Sequence, residues 1–470
     1  MSKREHIPAD CEFSHLREIT DPKFMTGKLQ EHLAAAGLEV ESCKTEQMYY
    51  RRGRDCKLLL KARLDNKRDA TRGEQFYFGR ILSDDHPETP KIQSMIDRMN
   101  WVAPQFGPPC IHIAEWQMWL LAYPNDPNLP GLALMANPQK VLAQMQAAPE
   151  KFGLGKREPV GISAKMTKYI PGMRCGYVYN IALAEANGAK AAFSFYGKAY
   201  KDDEGEAAYG LMKKIWESDN CQQGKFLLPQ PYSYDAPAQI MWQEAITGEP
   251  FSQIAETISD LPKVAKEIGQ RLAAFHNTSL PLPVEMTFDF QVQEVREAIA
   301  SVKQTFPEYA DSCAEIGQNL LEAATRLGPG PLTPVHASFK FSHIFQTAPG
   351  ITFIDFDSAN LGDPGYDVGR FIAHLHKMKA SWKIDPEIAD QTIENFCAGY
   401  NDMAAASLTP ERIDWFTASH VLGSQVYKSV KRLDTGIVNK LLKVVNRLSP
   451  GLPAHDGVMK MLGTVAQTSV

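Results

Sequence analysis

The chain has eight cysteines, at positions 11, 43, 56, 110, 175, 221, 313 and 397, and no two form a Cys-x-x-Cys pair. That scatter excludes a disulfide framework and a cysteine-based zinc site, and implies reduced, mostly buried thiols. No apolar run approaches the roughly 20 residues a membrane-spanning helix needs; one of the longest is Trp116 to Tyr123. The opening MSKREHIPAD is polar and lacks the apolar centre of a secretory signal. Positive charge is not in excess either. Fifty Lys and Arg face 55 Asp and Glu, a net charge of −5, so no global field draws the chain to nucleic acid or to an anionic membrane. With 44% hydrophobic and 22% charged residues, disordered and fibrous classes drop out as well. The expectation left standing is a soluble, cytoplasmic chain of 470 residues, about three domains' worth at roughly 150 residues each.

Within that length the sequence repeats itself once. YRRGRDCKLLLKARL begins at Tyr50 and YIPGMRCGYVYNIAL at Tyr169, and the Tyr, Gly and Cys positions keep one offset of 119. Each copy is a Gly-containing turn flanked by alternating, strand-like residues. Phe76-Tyr77-Phe78-Gly79-Arg80 then answers Ser194-Phe195-Tyr196-Gly197-Lys198. A polar helix start (SDDHPETPKIQSMI, then KDDEGEAAYGLMKKIW) and an aromatic strand (Trp116 to Leu120, then Ile240 to Glu244) complete each copy. The pattern predicts two β-β-β-α-β-β units. Solenoids have shorter periods and more copies, so one repeat at this distance reads as a domain duplication, chance similarity being the alternative.

After Gly248 the pattern turns helical. Val264, Ile268, Leu272 and Phe275 recur at helical spacing. Further helix is expected over 292–327, 367–379, 386–405 and from Pro410 almost to Asn446, with loop and short strand over 333–367. Between Lys428 and Arg447 six basic residues accompany one acid, Asp434. That run is either a solvated helix face or a weak anion-attracting edge.

The chemistry concentrates in VHASFKFSHI (335–344) and ITFIDFDSANLGDPGYDV (351–368). An apolar strand ends at Asp355, which places a carboxylate at a strand terminus, and Asp357 lies two residues on. Upstream, a strand-turn carries His336, Lys340 and His343. Magnesium takes carboxylate and phosphate oxygens, and a lysine meets phosphate as a point charge. A lone Asp after an apolar run is ordinarily a turn or cap residue; here it comes with cations and lies downstream of a β-unit containing Lys198.

IDFDSANLGDPGYDVGRF closely resembles the metal-binding segment and following helix of the aminoglycoside phosphotransferase and choline kinase family, small-molecule kinases of protein-kinase-like fold. The resemblance covers about 158–445. It implies a magnesium ligand at Asp355, with Asp363 and Asp367 holding the next loop and helix by hydrogen bonds. It puts His336 at the start of the catalytic loop. Lys198 becomes the phosphate-gripping lysine of the third N-lobe strand, with Glu206 favoured slightly over Glu217 as its acidic partner. Met241 to Ile246 becomes the hinge that meets adenine, and Glu244 and Ile246 are its candidate nucleotide contacts. IGQRLAAFH, ending at His276, resembles the helix before the catalytic segment.

The loop also departs from the family. His-x-Asp-x-x-x-x-Asn is expected, with Asp as base and Asn on metal, but Ser338 and His343 occupy those positions. Neutral serine does not accept a proton as a carboxylate does. His343 is left as a poor candidate metal ligand or a structural donor. Copy one carries Arg80 where copy two has Lys198.

The expected architecture is therefore α+β: a two-lobed protein-kinase-like fold behind a duplicated N-lobe-like domain. Its parts are an extension (1–39), the duplicate with its linker (40–157), an N-lobe (158–246) and a mostly helical C-lobe (247–470). The expected function is an ATP- and magnesium-binding, pseudokinase-like protein, impaired because the catalytic Asp is Ser338. The alternative is an active small-molecule phosphotransferase with a non-standard loop (Ser338, His336, Lys340), Asp357 acting as the base. Expected partners are nucleotide, a small polar acceptor, and a protein partner or second copy of the chain.

Overall fold

Alternating side chains set the first half of the chain. In the computed structural model, which describes residues 15–51, 55–82, 94–184, 190–258, 260–305, 309–381, 383–431 and 436–449, three long antiparallel strands follow an opening helical segment. They are β1 (Leu38–Arg51), β2 (Asp55–Asn66) and β3 (Thr71–Leu82), followed by β4 (Cys110–Ile113) and β5 (Met118–Ala122). The second set is β6 (Glu158–Ile170), β7 (Arg174–Ala184), β8 (Lys190–Tyr200), β9 (Pro231–Asp235) and β10 (Ile240–Glu244). Each set forms one five-stranded sheet, in the orders β1-β2-β3-β5-β4 and β6-β7-β8-β10-β9.

The registers match as well. Tyr50 pairs with Cys56, and Tyr169 with Cys175. Gly79 and Arg80 oppose Leu120 and Trp119, while Gly197 and Lys198 oppose Trp242 and Met241. Irregularities fall at Val40/Ser42 in β1 and Pro159/Gly161 in β6. Period-two burial explains why: Cys56, Leu58, Leu60, Ala62 and Leu64 are buried from β2, and Cys175, Tyr177, Tyr179, Ile181 and Leu183 from β7. On the other face of β2, Leu59 joins the core formed by Tyr179, Phe195 and Trp242 of the second sheet. Gly197 makes room there, since a Cβ would lie 2.4 Å from the Trp242 ring.

The two sheets meet at Asp126, which is only 5% exposed. Its carboxylate accepts the Gly172 N–H at 2.7 Å, the Tyr169 hydroxyl at 2.9 Å and the Asn128 N–H at 3.1 Å. The Tyr123 and Tyr177 hydroxyls share a hydrogen bond, and Gln47 Nε2 donates to Tyr169 O at 3.2 Å. Burial raises the Asp126 pKa above the usual carboxylate value, against the hydrogen bonds that lower it.

Helices start where the sequence places Asp, Asn or Thr beside proline. Asp21 caps α1 (Pro22–Leu33), Asn137 caps α2 (Pro138–Ala147) and, after α3 (Glu204–Trp216), Asp260 caps α4 (Leu261–His276). Between β8 and β9, α3 gives copy two the expected β-β-β-α-β-β order. The corresponding helix start of copy one lies largely in 83–93, outside the described residues, as do residues 1–14. The expected helix over 292–327 is two, α5 (Phe288–Thr305) and α6 (Ala310–Leu327), with Pro307 between them.

The described residues divide into two compact units, the first holding those of 15–206 and 232–245 with Lys431, the second those of 207–231, 246–430 and 436–449. In the second, β11 (Gly248–Pro250), β13 (Ile344–Thr347) and β14 (Gly350–Phe353) form a small sheet, and β12 (Thr333–Val335) pairs with β15 (Asn360–Gly362). Around them lie α7 (Gly365–Ala380), α8 (Pro386–Met403), capped by Asp385, and α9 (Pro410–His420), capped by Thr409. Helices α4 and α8 touch backbone to backbone: a Cβ at Gly269 would lie 2.3 Å from Phe396 O, and one at Gly399 2.2 Å from Lys266 O.

The single helix expected from Pro410 almost to Asn446 is interrupted. A π-helical turn, Val421–Val426, comes after α9, then a short helix, Tyr427–Lys431, and later α10 (Val438–Leu448). Gly423 inside the widened turn is a weak helix former, and His420 Nε2 is bonded to Tyr366 O at 2.8 Å.

Candidate active site

The segment between β12 and β13 is fixed from both sides. Phe339 and Phe341 are buried, with ring centroids 5.8 and 4.8 Å from Phe371 of α7. His336, also buried, donates its backbone N–H to Asp367 Oδ2 at 2.5 Å. The same oxygen meets His276 Nε2 at 3.1 Å, and His276 Nδ1 meets the Tyr400 hydroxyl at 2.8 Å. Asp363 accepts the Gly365 N–H at 2.9 Å and forms a buried ion pair with Arg412. Asp363 and Asp367 thus bind loop to helix by hydrogen bonds. The tyrosine and arginine that complete this scaffold come from α8 and α9, and nothing in local sequence spacing singled them out.

Four predicted residues come together. His336 Nε2 lies 2.9 Å from Ile354 O, and a carbonyl only accepts, so Nε2 carries the proton. Burial holds the His336 pKa down, against the nearby Asp367 and Asp355 charges. Its Nδ1 lies 3.3 Å from Ser338 Oγ. Ser338 Oγ is also 3.2 Å from His343 Nδ1 and 3.4 Å from Asp355 O. On the far side of that ring, His343 Nε2 is 3.2 Å from Asp355 Oδ2. A serine has one proton to give. Whichever ring receives it, His343 stands between the Ser338 hydroxyl and the Asp355 carboxylate.

The backbone is unusual at the same place. Ala337 (φ 58°) and Asp355 (φ 68°) both adopt the left-handed region, a cost of about 1–3 kcal/mol each for non-glycine residues. These two residues aim Ser338 and the Asp355 carboxylate. Lys340 and Asp357 are half-buried, the first just before Phe341–His343 and the second within Phe356–Ser358, two short 3-10 turns.

The donor set constrains any metal. Among the described residues no group of three or more His, Cys, Asp or Glu side chains is placed to hold one. Asp355 offers carboxylate oxygen, one atom of it engaged by His343, and both His343 ring nitrogens already have partners. Such a set fits magnesium held through Asp355 and ligand phosphates, the usual economy of protein ligands for that ion. It does not call on His343.

The remaining predicted residues are in the first unit, apart from Ile246, which is half-buried in the second. Lys198 is on β8, the third strand of its sheet, 7% exposed, with Nζ 5.1 Å from the Tyr200 ring centroid. Arg80 holds the matching register on β3, opposite Lys57 and Trp119. Glu206 is exposed in the first turn of α3, and Glu244 is exposed at the end of β10.

Residues 219–409 match the model of the phosphotransferase enzyme family, in agreement with the resemblance carried by the Asp355 segment. Among solved structures, aminoglycoside phosphotransferase APH(4)-Ia is 14% identical, with 68% of this chain and 100% of that one covered and a TM-score of 0.47. A choline/ethanolamine kinase family protein from Mesorhizobium loti is 12% identical, covering 71% and 99%, with a TM-score of 0.43. Choline kinase from Cryptosporidium parvum is 12% identical, covering 70% and 96%, with a TM-score of 0.44. No curated protein matches the chain.

Proposed function

We propose, on the family match over 219–409, that this chain is a kinase-like nucleotide-binding protein whose phosphoryl-transfer chemistry is impaired at Ser338. The observation that carries the reading is the Ser338–His343–Asp355 series. It puts a hydroxyl held by imidazoles where the family has a carboxylate base, and ties the metal-ligand carboxylate to a protein side chain. Losing a positioned base costs about 10²–10⁴ in rate.

In this reading Lys198 meets the nucleotide phosphates, Glu206 supports it, and Glu244 and Ile246 flank adenine. Lys340 approaches the transferred phosphate, and Asp355 would hold magnesium. The metal, when bound, neutralises phosphate charge. Residues 40–125 are a duplicate of the 158–246 sheet domain; the shared strand order and the Tyr–Cys and Gly–Arg/Lys registers support that descent. With Arg80 at the lysine position, the duplicate serves packing rather than nucleotide binding.

One observation favours an alternative, an active small-molecule phosphotransferase. A hydroxyl, an imidazole and a carboxylate in series can pass on an acceptor proton, with Asp357 as the further candidate base. A thermal-shift titration with ATP, with and without magnesium, tests the nucleotide reading, since binding to the native state raises its stability by RT ln(1 + [L]/Kd). Saturable stabilisation, reduced in Lys198→Ala and Asp355→Ala, is expected. No shift at millimolar ATP refutes it. Robust turnover by the unmodified chain refutes impairment and selects the alternative, in which Asp357→Asn removes activity.

A further inference from the structure

Lys428, which opens the basic run the sequence singled out, acts on the same ring, that of His374, as other cations of the second unit. Along α7, Arg370, His374 and Lys377 recur at spacings of four and three, so they share one helix face. All three are half-buried. The His374 ring lies 5.5 Å from the Phe341 ring, which brings the residue after Lys340 against that face. From the π-helical side, Lys428 donates to Ser424 Oγ at 3.1 Å, and His420, at the start of that turn, bonds Tyr366 O at the head of α7. Arg370 Nη1 donates to the Tyr366 hydroxyl at 3.1 Å.

Burial, then Lys377, Lys340, Lys428 and Arg370 in turn, push the His374 pKa down to about 4, so the ring is neutral at pH 7. Two carboxylates act on Tyr366, Glu294 of α5 and Asp367 of α7. Lys379, two residues on and so off that face, pairs with Asp390 at 2.7 Å.

We propose that Lys340, Arg370, Lys377 and Lys428, converging from the loop, α7 and the short helix Tyr427–Lys431, bind the carboxylate or phosphate group of a small anionic acceptor. Two half-buried lysines and an arginine fork suit an oxyanion, which accepts charge-assisted hydrogen bonds from each. A cationic acceptor would face like charges at the same place. The identity of this site as the acceptor site rests on the phosphotransfer reading; its anion affinity does not.

The test is calorimetric titration of the full chain at low salt with inorganic phosphate and with citrate, with and without saturating AMP-PNP and magnesium. Saturable binding is expected in both conditions, weakening as NaCl is added. Lys377→Gln and Lys428→Gln should each weaken it by about fivefold, the loss of one partly screened charge contact. Lys379→Gln should leave it unchanged. Absence of saturable binding, or indifference to both substitutions, overturns the proposal. So does competition by AMP-PNP together with loss in Lys198→Ala, which would assign the anion to the nucleotide site. If AMP-PNP itself does not bind while phosphate does, the nucleotide reading falls and the anion site stands.

Discussion

Removing the Asp126 carboxylate should destabilise the first unit more than any exposed substitution in it. In Asp126→Ala, the buried Tyr169 hydroxyl and the half-buried Gly172 N–H lose the acceptor they meet at 2.9 and 2.7 Å. A buried donor left without a partner costs about 1–3 kcal/mol. The buried hydroxyl and the half-buried N–H together give about 2–5 kcal/mol, partly offset because the charge no longer has to be desolvated. The expected loss is therefore about 2–4 kcal/mol. Asp126→Asn keeps an acceptor oxygen and the shape, and should lose less than half of that.

The pH dependence supplies an independent sign. Burial raises the folded-state pKa of Asp126 above its unfolded value, so the folded chain holds that proton more tightly. The stability this group contributes is then fully present below the unfolded carboxylate pKa, near 3.9, and is lost as pH rises through the raised folded value. Relative to Asp126→Asn, the natural chain should gain stability on acidification across that window. Urea unfolding at several pH values, followed by tyrosine and tryptophan fluorescence, reads both effects. A loss below about 0.5 kcal/mol in Asp126→Ala, or a natural chain that loses ground to Asp126→Asn as pH falls, would refute the reasoning.

The second unit offers further tests. Arg412→Ala leaves the Asp363 carboxylate buried without its guanidinium, and should cost about 3–5 kcal/mol by chemical denaturation. Gly269→Ala forces a methyl to within 2.3 Å of Phe396 O; a loss of about 1–3 kcal/mol is expected, and an unchanged unfolding midpoint would show that α4 and α8 separate freely. If the chain binds ATP and magnesium, Ser338→Asp should raise phosphotransfer or basal ATP hydrolysis at least ~10-fold in a coupled assay. His343→Asn should add to it, not strictly additively because both act on one loop. A double variant that binds ATP and stays inert places the defect elsewhere.

Most strands were legible because burial alternates with period two along them, as at Cys56 to Leu64 and Cys175 to Leu183. Helix starts were legible where a cap stood beside proline. The interruptions after His420 were not, since periodicity cannot distinguish a widened turn from a regular one and both bury the same apolar residues. At the site, motif spacing brought out His336, Ser338, His343 and Asp355 individually. Their hydrogen bonds to one another depend on the left-handed backbone at Ala337 and Asp355, a conformation alanine disfavours and aspartate adopts only in a minority of cases. Arg412, Tyr400 and His374 act from distant helices, and long-range pairing leaves no periodic trace in a single chain.

The bond from Gly172 to Asp126 has a thermodynamic corollary. Turns between long strands are usually among the first segments to open, and a ligand that settles under one must first restrict it. Here the turn is held by a carboxylate from the loop that follows the neighbouring sheet, and Asn128 Nδ2 of the same loop reaches Gly172 O at 3.4 Å. Its conformational entropy is surrendered during folding, when the two sheets dock, and not at any later encounter. Amide exchange at Gly172 should accordingly track unfolding of the whole unit instead of local fraying, and the first half of the chain should lose its structure in one step.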